Sequence, residues 1–139
     1  MNRNTPSKIC FLVDDDLDDQ EIFSLALMDV KPPVTCITAS DCTEAIHLLR
    51  EENHFVPDYI FLDVNMPKIN GMECLREIKK LAHVRNIPVV MYSTSLKQSD
   101  ITETRRIGAS GFITKPSNIR DLTRLLNDFF QRAAVPQTS

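Results

Sequence analysis

Several apolar segments of the chain end at residues that can bind ions or phosphate. Asp14 and Asp15 follow the first segment and Asp63 follows a later one, while Ser93 and Lys115 end two more. If these segments are parallel strands, their carboxyl ends share the edge where open α/β sheets bind ligands. Carboxylates there could hold a divalent cation, and a hydroxyl and an ammonium could contact a phosphoryl group. The sequence therefore predicts a site for both at that edge.

The elements that must position these residues alternate along the chain. Apolar, β-branched segments are followed by segments with apolar residues at helical spacing, which is typical of βαβ units around a parallel sheet. We predict a (βα)5 chain with a five-stranded parallel sheet and helices on both faces. The predicted strands cover 8–13, 34–38, 59–63, 87–92 and 111–114. Two predicted helices cover 18–30 and 98–107. Three more have only a predicted start, at Ser40 or Asp41, at Asn70 and near Ser117.

Length and charge set limits on the class of protein. The 139 residues suit a single domain, with a core at about 8–132 and short flexible tails. The net charge of -3 gives no basic surface for a nucleic acid. No segment approaches the roughly 20 apolar residues of a membrane span, and the N-terminus lacks the apolar core of a signal peptide. We therefore expect a cytoplasmic protein without nucleic-acid or membrane partners.

The cysteines show no metal-binding spacing. Cys10 and Cys36 lie inside apolar, strand-like segments, and Cys42 and Cys74 lie elsewhere in the chain without a CxxC pair. We expect buried, reduced thiols, because cytosolic chains keep their cysteines reduced. A bridge between Cys10 and Cys36 on neighbouring strands would need an oxidising compartment.

Five motifs occur in a fixed order over nearly the whole chain. They are Val13-Asp14-Asp15, Leu62-Asp63-Val64-Asn65-Met66-Pro67 with Gly71, Ser93, Gly108-Ala109-Ser110-Gly111-Phe112, and Lys115-Pro116. Together they resemble the receiver domain of bacterial two-component response regulators. The resemblance implies a flavodoxin-like, doubly wound fold. It also implies a phosphoacceptor signalling domain, rather than an enzyme with turnover, that receives a phosphoryl group from a sensor histidine kinase with Mg²⁺.

The resemblance also assigns roles to individual residues. Asp63 would be the phosphoacceptor, and carboxylates can act as covalent nucleophiles. Asp15, Asp63 and the backbone carbonyl of Asn65 would bind the metal directly, with Asp14 acting through water. Lys115 would pair with a phosphoryl oxygen.

Other positions would regulate the phosphorylated state. By resemblance, Ser93 would move toward the phosphoryl group, and the Phe112 ring would swing inward with it; a half-buried strand residue is the structural alternative for Phe112. Asn65, Thr94 and Ser95 would tune the rate of hydrolysis. The Lys115-Pro116 bond is expected to be cis.

Several alternatives stay open. A single aspartate at a strand end is more often a helix cap than a nucleophile, and Asp16, Asp18 and Asp19 are interpreted as structural or solubilising. A stand-alone receiver would signal by protein docking, through its fourth helix, fifth strand and fifth helix, and it could form a homodimer. A phosphorelay intermediate would instead pass the phosphate to a histidine phosphotransfer protein. An aspartate-nucleophile phosphatase would want a second aspartate where Asn65 stands.

Overall fold

The predicted alternation of strands and helices is present throughout the described chain. A computed structural model describes residues 8–51 and 55–134. The predicted tails fall mainly in 1–7 and 135–139, outside the described residues. Within these residues no helix combines the length and the apolar character needed to cross a bilayer. The elements are β1(Lys8–Val13), α1(Leu17–Met28), β2(Val34–Ala39), α2(Cys42–Glu51), β3(Tyr59–Leu62), α3(Gly71–Lys79), β4(Val89–Ser93), α4(Gln98–Ile107), β5(Gly111–Thr114) and α5(Ile119–Ala134).

All five strands pair in parallel in the order β2-β1-β3-β4-β5. This is the flavodoxin-like order, in which the winding direction reverses between β1 and β3 and creates a crevice at their carboxyl ends. Val13 pairs with Leu62 in register. The two residues that follow, Asp14 and Asp63, therefore leave the sheet side by side, and the Asp63 N–H donates to the Val13 carbonyl at 3.0 Å.

Two helical layers cover the sheet because successive strand side chains point to opposite faces. Phe11, Ile60 and Met91 point toward α2 and α3, whereas Phe61 and Tyr92 point toward α1 and α5. Every residue of β4 is buried, as expected for a strand covered on both faces. The doubly wound prediction is confirmed, and the sheet holds the polar edge in a fixed position.

Helix starts follow the capping signals of the sequence. The Asp41 side chain accepts the Glu44 N–H at 2.7 Å, which selects Asp41 over Ser40 as the cap of α2. Asn70 caps α3 by accepting the Glu73 N–H at 3.0 Å. Helix α1 begins one residue earlier than predicted because Asp16 serves as its cap.

Helix α4 buries little of its surface, as its polar sequence predicts. Thr104 is its one buried residue, and its hydroxyl donates to the Asp100 carbonyl at 2.6 Å. The expected apolar anchors, Ile101 and Ile107, are only half-buried. A helix held by so few buried contacts costs little to displace.

The Lys115-Pro116 bond was predicted to be cis, and this prediction is wrong. Among the described residues the one cis peptide bond joins Lys31 to Pro32. The two isomers of an X-Pro bond differ by only about 0.5–1 kcal/mol. The surroundings of the bond, rather than the dipeptide itself, therefore select the isomer.

The expectation of four reduced thiols is wrong for Cys42 and Cys74, which form a disulfide. Helix α2 begins beside the first turn of α3, so the two Cα atoms lie 5.7 Å apart, inside the range that a disulfide can span. Their separation of 32 residues gave no sequence signal of this contact. Cys10 and Cys36 are register partners on β1 and β2 yet remain free thiols.

We expect thiol titration to distinguish these two pairs. Protein unfolded without reductant should react with two equivalents of a thiol reagent, at Cys10 and Cys36, and protein reduced beforehand should react with four. A Cys42→Ser variant should show three free thiols in both conditions. Four thiols in the unreduced wild type would contradict the bridge.

Candidate functional site

Four strand ends bring the predicted site residues together at one edge of the sheet. Asp14, Asp63 and Lys115 follow β1, β3 and β5, and Ser93 is the last residue of β4. The Lys115 N–H donates to the Ser93 carbonyl at 2.8 Å, which fixes the start of the loop after β5 against β4. Residues separated by up to 101 positions along the chain thereby share one pocket.

Three carboxylates form a cluster that fits a hard divalent cation. Asp14, Asp15 and Asp63 can each place one carboxylate oxygen within 4.8 Å of the others. Asp14 is fully buried and Asp63 is 5 % exposed, while Asp15 faces solvent. Mg²⁺ prefers oxygen ligands and keeps several waters beside one or two carboxylates. Two buried carboxylates and an exposed one on the open side meet that preference.

The Lys115 ammonium is the positive charge of this pocket. Its Nζ lies 2.8 Å from an Asp14 oxygen, 2.8 Å from an Asp19 oxygen and 3.5 Å from an Asp63 oxygen. The side chain is only 7 % exposed. Burial by itself lowers the pKa of Lys115, but hydrogen bonds to Asp14 and Asp19 outweigh it and raise the pKa above its ordinary value. Lys115 therefore stays charged.

Asp63 is buried beside the Lys115 ammonium and the Asp14 carboxylate, and its pKa reflects burial together with these two charges. Burial raises the pKa of Asp63 to about 6, with the Lys115 ammonium lowering it and the Asp14 carboxylate raising it again. The Asn65 N–H donates to Asp63 Oδ1 at 3.1 Å and favours the ionised form. At neutral pH the group is therefore mostly a carboxylate, the form that can act as a nucleophile.

Gln20 and Asp19 belong to this pocket although sequence reasoning did not assign them to it. The Gln20 side-chain amide donates to the Asp14 carbonyl at 2.7 Å and contacts the Ser40 hydroxyl at 3.2 Å, joining the loops after β1 and β2. Asp19 reaches Lys115 from the first turn of α1. The one available signal was their position in the turn that follows the strand-end aspartates.

Ser93 and Asn65 contribute a hydroxyl and an amide to the pocket near the ends of β4 and β3. Ser93 is 1 % exposed, and its hydroxyl accepts a hydrogen bond from the Asn65 side-chain amide at 3.0 Å. The two residues that follow β4, Thr94 and Ser95, are exposed at the rim. Because the Asn65 N–H also donates to Asp63, the pair of Asn65 and Ser93 places a hydroxyl and an amide near that carboxylate.

Phe112 lies outside the pocket. It is a half-buried residue of β5 that packs against the cluster below α2 and α3. The Arg105 guanidinium of α4 lies 5.0 Å from the centre of its ring, within the range of a cation–π contact. Phe112 therefore occupies the position of a half-buried strand residue, which was the alternative to a switch role. The switch role stays a prediction.

Gly71 allows α3 to begin directly against the phosphoacceptor candidate. A Cβ atom at this position would overlap the Asp63 carbonyl oxygen and lie 2.7 Å from Val64 Cα. The Gly71 N–H also donates to the Val64 carbonyl at 2.9 Å. The absence of a side chain therefore permits the close approach that holds the loop after β3 in place.

Comparison with known proteins agrees with this fold and identifies the family. Residues 10–127 match the model of the response regulator receiver domain. The response regulator Rcp1 of Synechocystis sp. is 28% identical over 129 residues, covering 90% of this chain and 88% of that protein. A CpxR homologue of Haemophilus influenzae is 35% identical over 132 residues, covering 92% of this chain but 52% of that longer protein.

Solved structures give the same result. The phosphorylated cyanobacterial phytochrome response regulator RcpA superposes with a TM-score of 0.83 at 33% identity, over 96% of this chain and 100% of that one. The Mn²⁺-bound form of Rcp1 superposes with a TM-score of 0.79 at 28% identity, over 95% and 99%. The chain belongs to the family of response regulator receiver domains, which are signalling domains of two-component systems.

Proposed function

We propose that Asp63 accepts a phosphoryl group from a phosphohistidine of a partner protein and that the chain signals through docking in this state. The observation that carries the proposal is the position of Asp63. Its oxygen lies 3.5 Å from the buried Lys115 ammonium, and two further aspartates complete an oxygen cluster around it. This arrangement pairs a nucleophile with the positive charge that a transferred phosphoryl group needs.

The transfer step requires little from the protein beyond position and charge. An Asp63 oxygen attacks phosphorus while the bond from phosphorus to the histidine nitrogen breaks, and that nitrogen keeps the electron pair. Such transfers depend mainly on alignment and electrostatic stabilisation. Lys115 and the Ser93 hydroxyl would contact two of the phosphoryl oxygens.

Asp14, Asp15 and Asp63 would hold Mg²⁺, with the Asn65 backbone carbonyl as the further ligand. The cation, when bound, would neutralise charge on the phosphoryl oxygens and relieve repulsion among the carboxylates. The solved structure of Rcp1 described above contains Mn²⁺, a cation that also prefers oxygen ligands. This supports an acidic metal site in this chain.

A stand-alone receiver and a phosphorelay intermediate share this chemistry. Both need a protein partner, a sensor histidine kinase or a histidine phosphotransfer protein, to bring its histidine to the pocket. Leu17 begins α1 directly beside the aspartates and is 69% exposed, which gives that partner an apolar contact at the rim. Helix α4, with its small buried surface, and its neighbours β5 and α5 would present the output surface, and a homodimer through the last helices stays a prediction.

A turnover phosphatase is a weaker candidate. Its general acid would stand two residues after the nucleophile, where this chain has Asn65. The Asn65 amide instead donates to the Ser93 hydroxyl. An amide cannot donate and retake a proton in this role, so we propose a signalling domain with slow self-dephosphorylation and not a turnover enzyme.

Incubation with acetyl phosphate tests the proposed function without a cognate kinase. With Mg²⁺, intact-mass measurement should show one phosphoryl adduct per chain, and the same reaction with excess chelator should show almost none. An aryl phosphate should release no steady stream of product. Steady release at enzyme-like rates, or no adduct with Mg²⁺, would contradict the proposal.

A further inference from the structure

The Lys115 ammonium is shared unequally among three carboxylates. An ammonium has three N–H donors, and those of Lys115 face Asp14 and Asp19 at 2.8 Å each and Asp63 at 3.5 Å. The loosest of the three contacts is the one with the phosphoacceptor. The ammonium therefore lies closer to the α1 side of the pocket than to the atom where phosphorus would bind.

Asp19 is fixed in this position by the start of α1. It lies in the first turn of the helix, and its N–H donates to the capping Asp16 side chain at 3.1 Å. Its side chain is 32% exposed. The preceding residue, Asp18, has the same charge but is exposed to solvent, and no ion pair joins it to Lys115 in the described structure. Of these two neighbouring acids, only Asp19 can affect the ammonium directly.

A phosphoryl group on Asp63 would compete with Asp19 for Lys115. The group adds negatively charged oxygens beside the ammonium, and hydrogen bonds from Nζ to them would compete with its 2.8 Å contact to Asp19. Asp14 belongs to the oxygen cluster that fits a cation, whereas Asp19 does not. A bound cation would share the charge of Asp14 but not that of Asp19. Asp19 is therefore the carboxylate that would still attract Lys115 in the phosphorylated state.

We propose that Asp19 is a positioning residue that restrains Lys115 and thereby shortens the lifetime of the aspartyl phosphate. This inference rests on the proposed phosphorylation of Asp63. In hydrolysis, water adds to phosphorus, the bond from phosphorus to the Asp63 oxygen breaks with its electron pair on the carboxylate, and dihydrogen phosphate leaves with both protons of the water. In the loose transition state of such reactions negative charge moves toward the leaving oxygen. An ammonium bound to the non-bridging phosphoryl oxygens stabilises the phosphorylated ground state more than it stabilises this transition state. It therefore slows the loss of the phosphoryl group.

The test compares four proteins: wild type, Asp19→Asn, Asp18→Asn as the matched control, and Asp19→Glu. Each is phosphorylated with acetyl phosphate and Mg²⁺, freed of the donor by rapid desalting, and followed by intact mass. Asp19→Asn should hold its phosphate about threefold longer, the effect expected for loss of one partly exposed ion pair. Asp18→Asn should match wild type. Asp19→Glu, which keeps the charge, should return the lifetime toward that of wild type, whereas a merely structural defect would persist.

Each result decides a separate point. Equal lifetimes for Asp19→Asn and Asp18→Asn, or a long lifetime for Asp19→Glu as well, would overturn the role of Asp19 while leaving Asp63 as the acceptor. If wild type takes up no phosphate, the proposed function fails, and this inference fails with it. Urea unfolding of each variant confirms that the compared proteins are equally folded.

Discussion

Replacing Asp63 with asparagine is expected to leave the protein without a phosphoryl adduct. The amide that replaces the carboxylate is a poor nucleophile, and among the described residues no other aspartate accepts the Asn65 N–H as Asp63 does. In the acetyl phosphate reaction with Mg²⁺, wild type should gain one phosphoryl group and Asp63→Asn none. Asp18→Asn, an exposed change of the same chemical kind, should accept phosphate as wild type does.

The same substitution should stabilise the fold above pH 6, which separates loss of function from loss of structure. The pKa of Asp63 is raised from 3.8 to about 6 in the folded protein. Between these values the folded state binds more protons than the unfolded state, so stability falls as pH rises, and the full cost is present above pH 6. Asparagine carries no such cost. The raised pKa of Asp63 already includes the favourable contact with Lys115, and solvent screening at the edge of the sheet reduces the gain.

Urea unfolding in the presence of chelator measures this effect. Asp63→Asn should be about 1–2 kcal/mol more stable than wild type at pH 8, and the difference should shrink toward pH 4. A variant that still gains phosphate would show that another residue is the acceptor. A variant that loses stability at pH 8 would show that burial of the Asp63 charge is not the dominant cost.

Replacing Gly71 with alanine is expected to damage both the fold and the site. Alanine favours a helix over glycine by about 1 kcal/mol. The new Cβ would, however, overlap the Asp63 carbonyl oxygen and lie 2.9 Å from its carbonyl carbon, so backbone must move. Overpacking of this kind costs up to about 3 kcal/mol. The clash exceeds the gain, and we expect a net loss of about 2 kcal/mol together with slower phosphorylation, because the displaced backbone belongs to Asp63.

Gly111→Ala is the matched control for this variant. At Gly111, in β5, the nearest atom to an added Cβ is Val90 Cγ2 at 4.0 Å, an ordinary contact distance. We expect a change within about 0.5 kcal/mol in urea unfolding and a normal phosphoryl adduct. Equal stability of the two alanine variants would show that the loop after β3 can shift without cost, and that Gly71 is not needed for the close approach.

Local sequence signals predicted the elements and placed their limits to within about two residues; among the differences, α1 covers Leu17–Met28, β4 covers Val89–Ser93 and α5 begins at Ile119. Helix α4 spans the predicted 98–107 because polar residues and Gly108 mark its end. Asn70 caps α3 as its spacing from Glu73 predicts. These signals depend on residues within one or two helical turns of each other. They are therefore readable without knowledge of the fold.

The partners of Lys115 show what local sequence signals cannot predict. That Lys115 shares a sheet edge with Asp63 follows from the predicted parallel sheet. The ion pair with Asp19, 96 residues away, does not follow, because it depends on where the packed fold places the first turn of α1 relative to the loop after β5. Asp19 was interpreted as structural or solubilising from an acidic segment that looks solvated. Only the packed helix shows that one of its acids turns inward.

The chain by itself thus determined the order of elements, the parallel sheet and the convergence of acidic and basic residues at its edge. The tertiary structure alone decided the Cys42–Cys74 bridge, the trans Lys115-Pro116 bond, the burial of Thr104 and the inward orientation of Asp19. The physical reason is distance along the chain. Propensity, capping and periodicity act between near neighbours, whereas these four features depend on how elements far apart in sequence pack against each other.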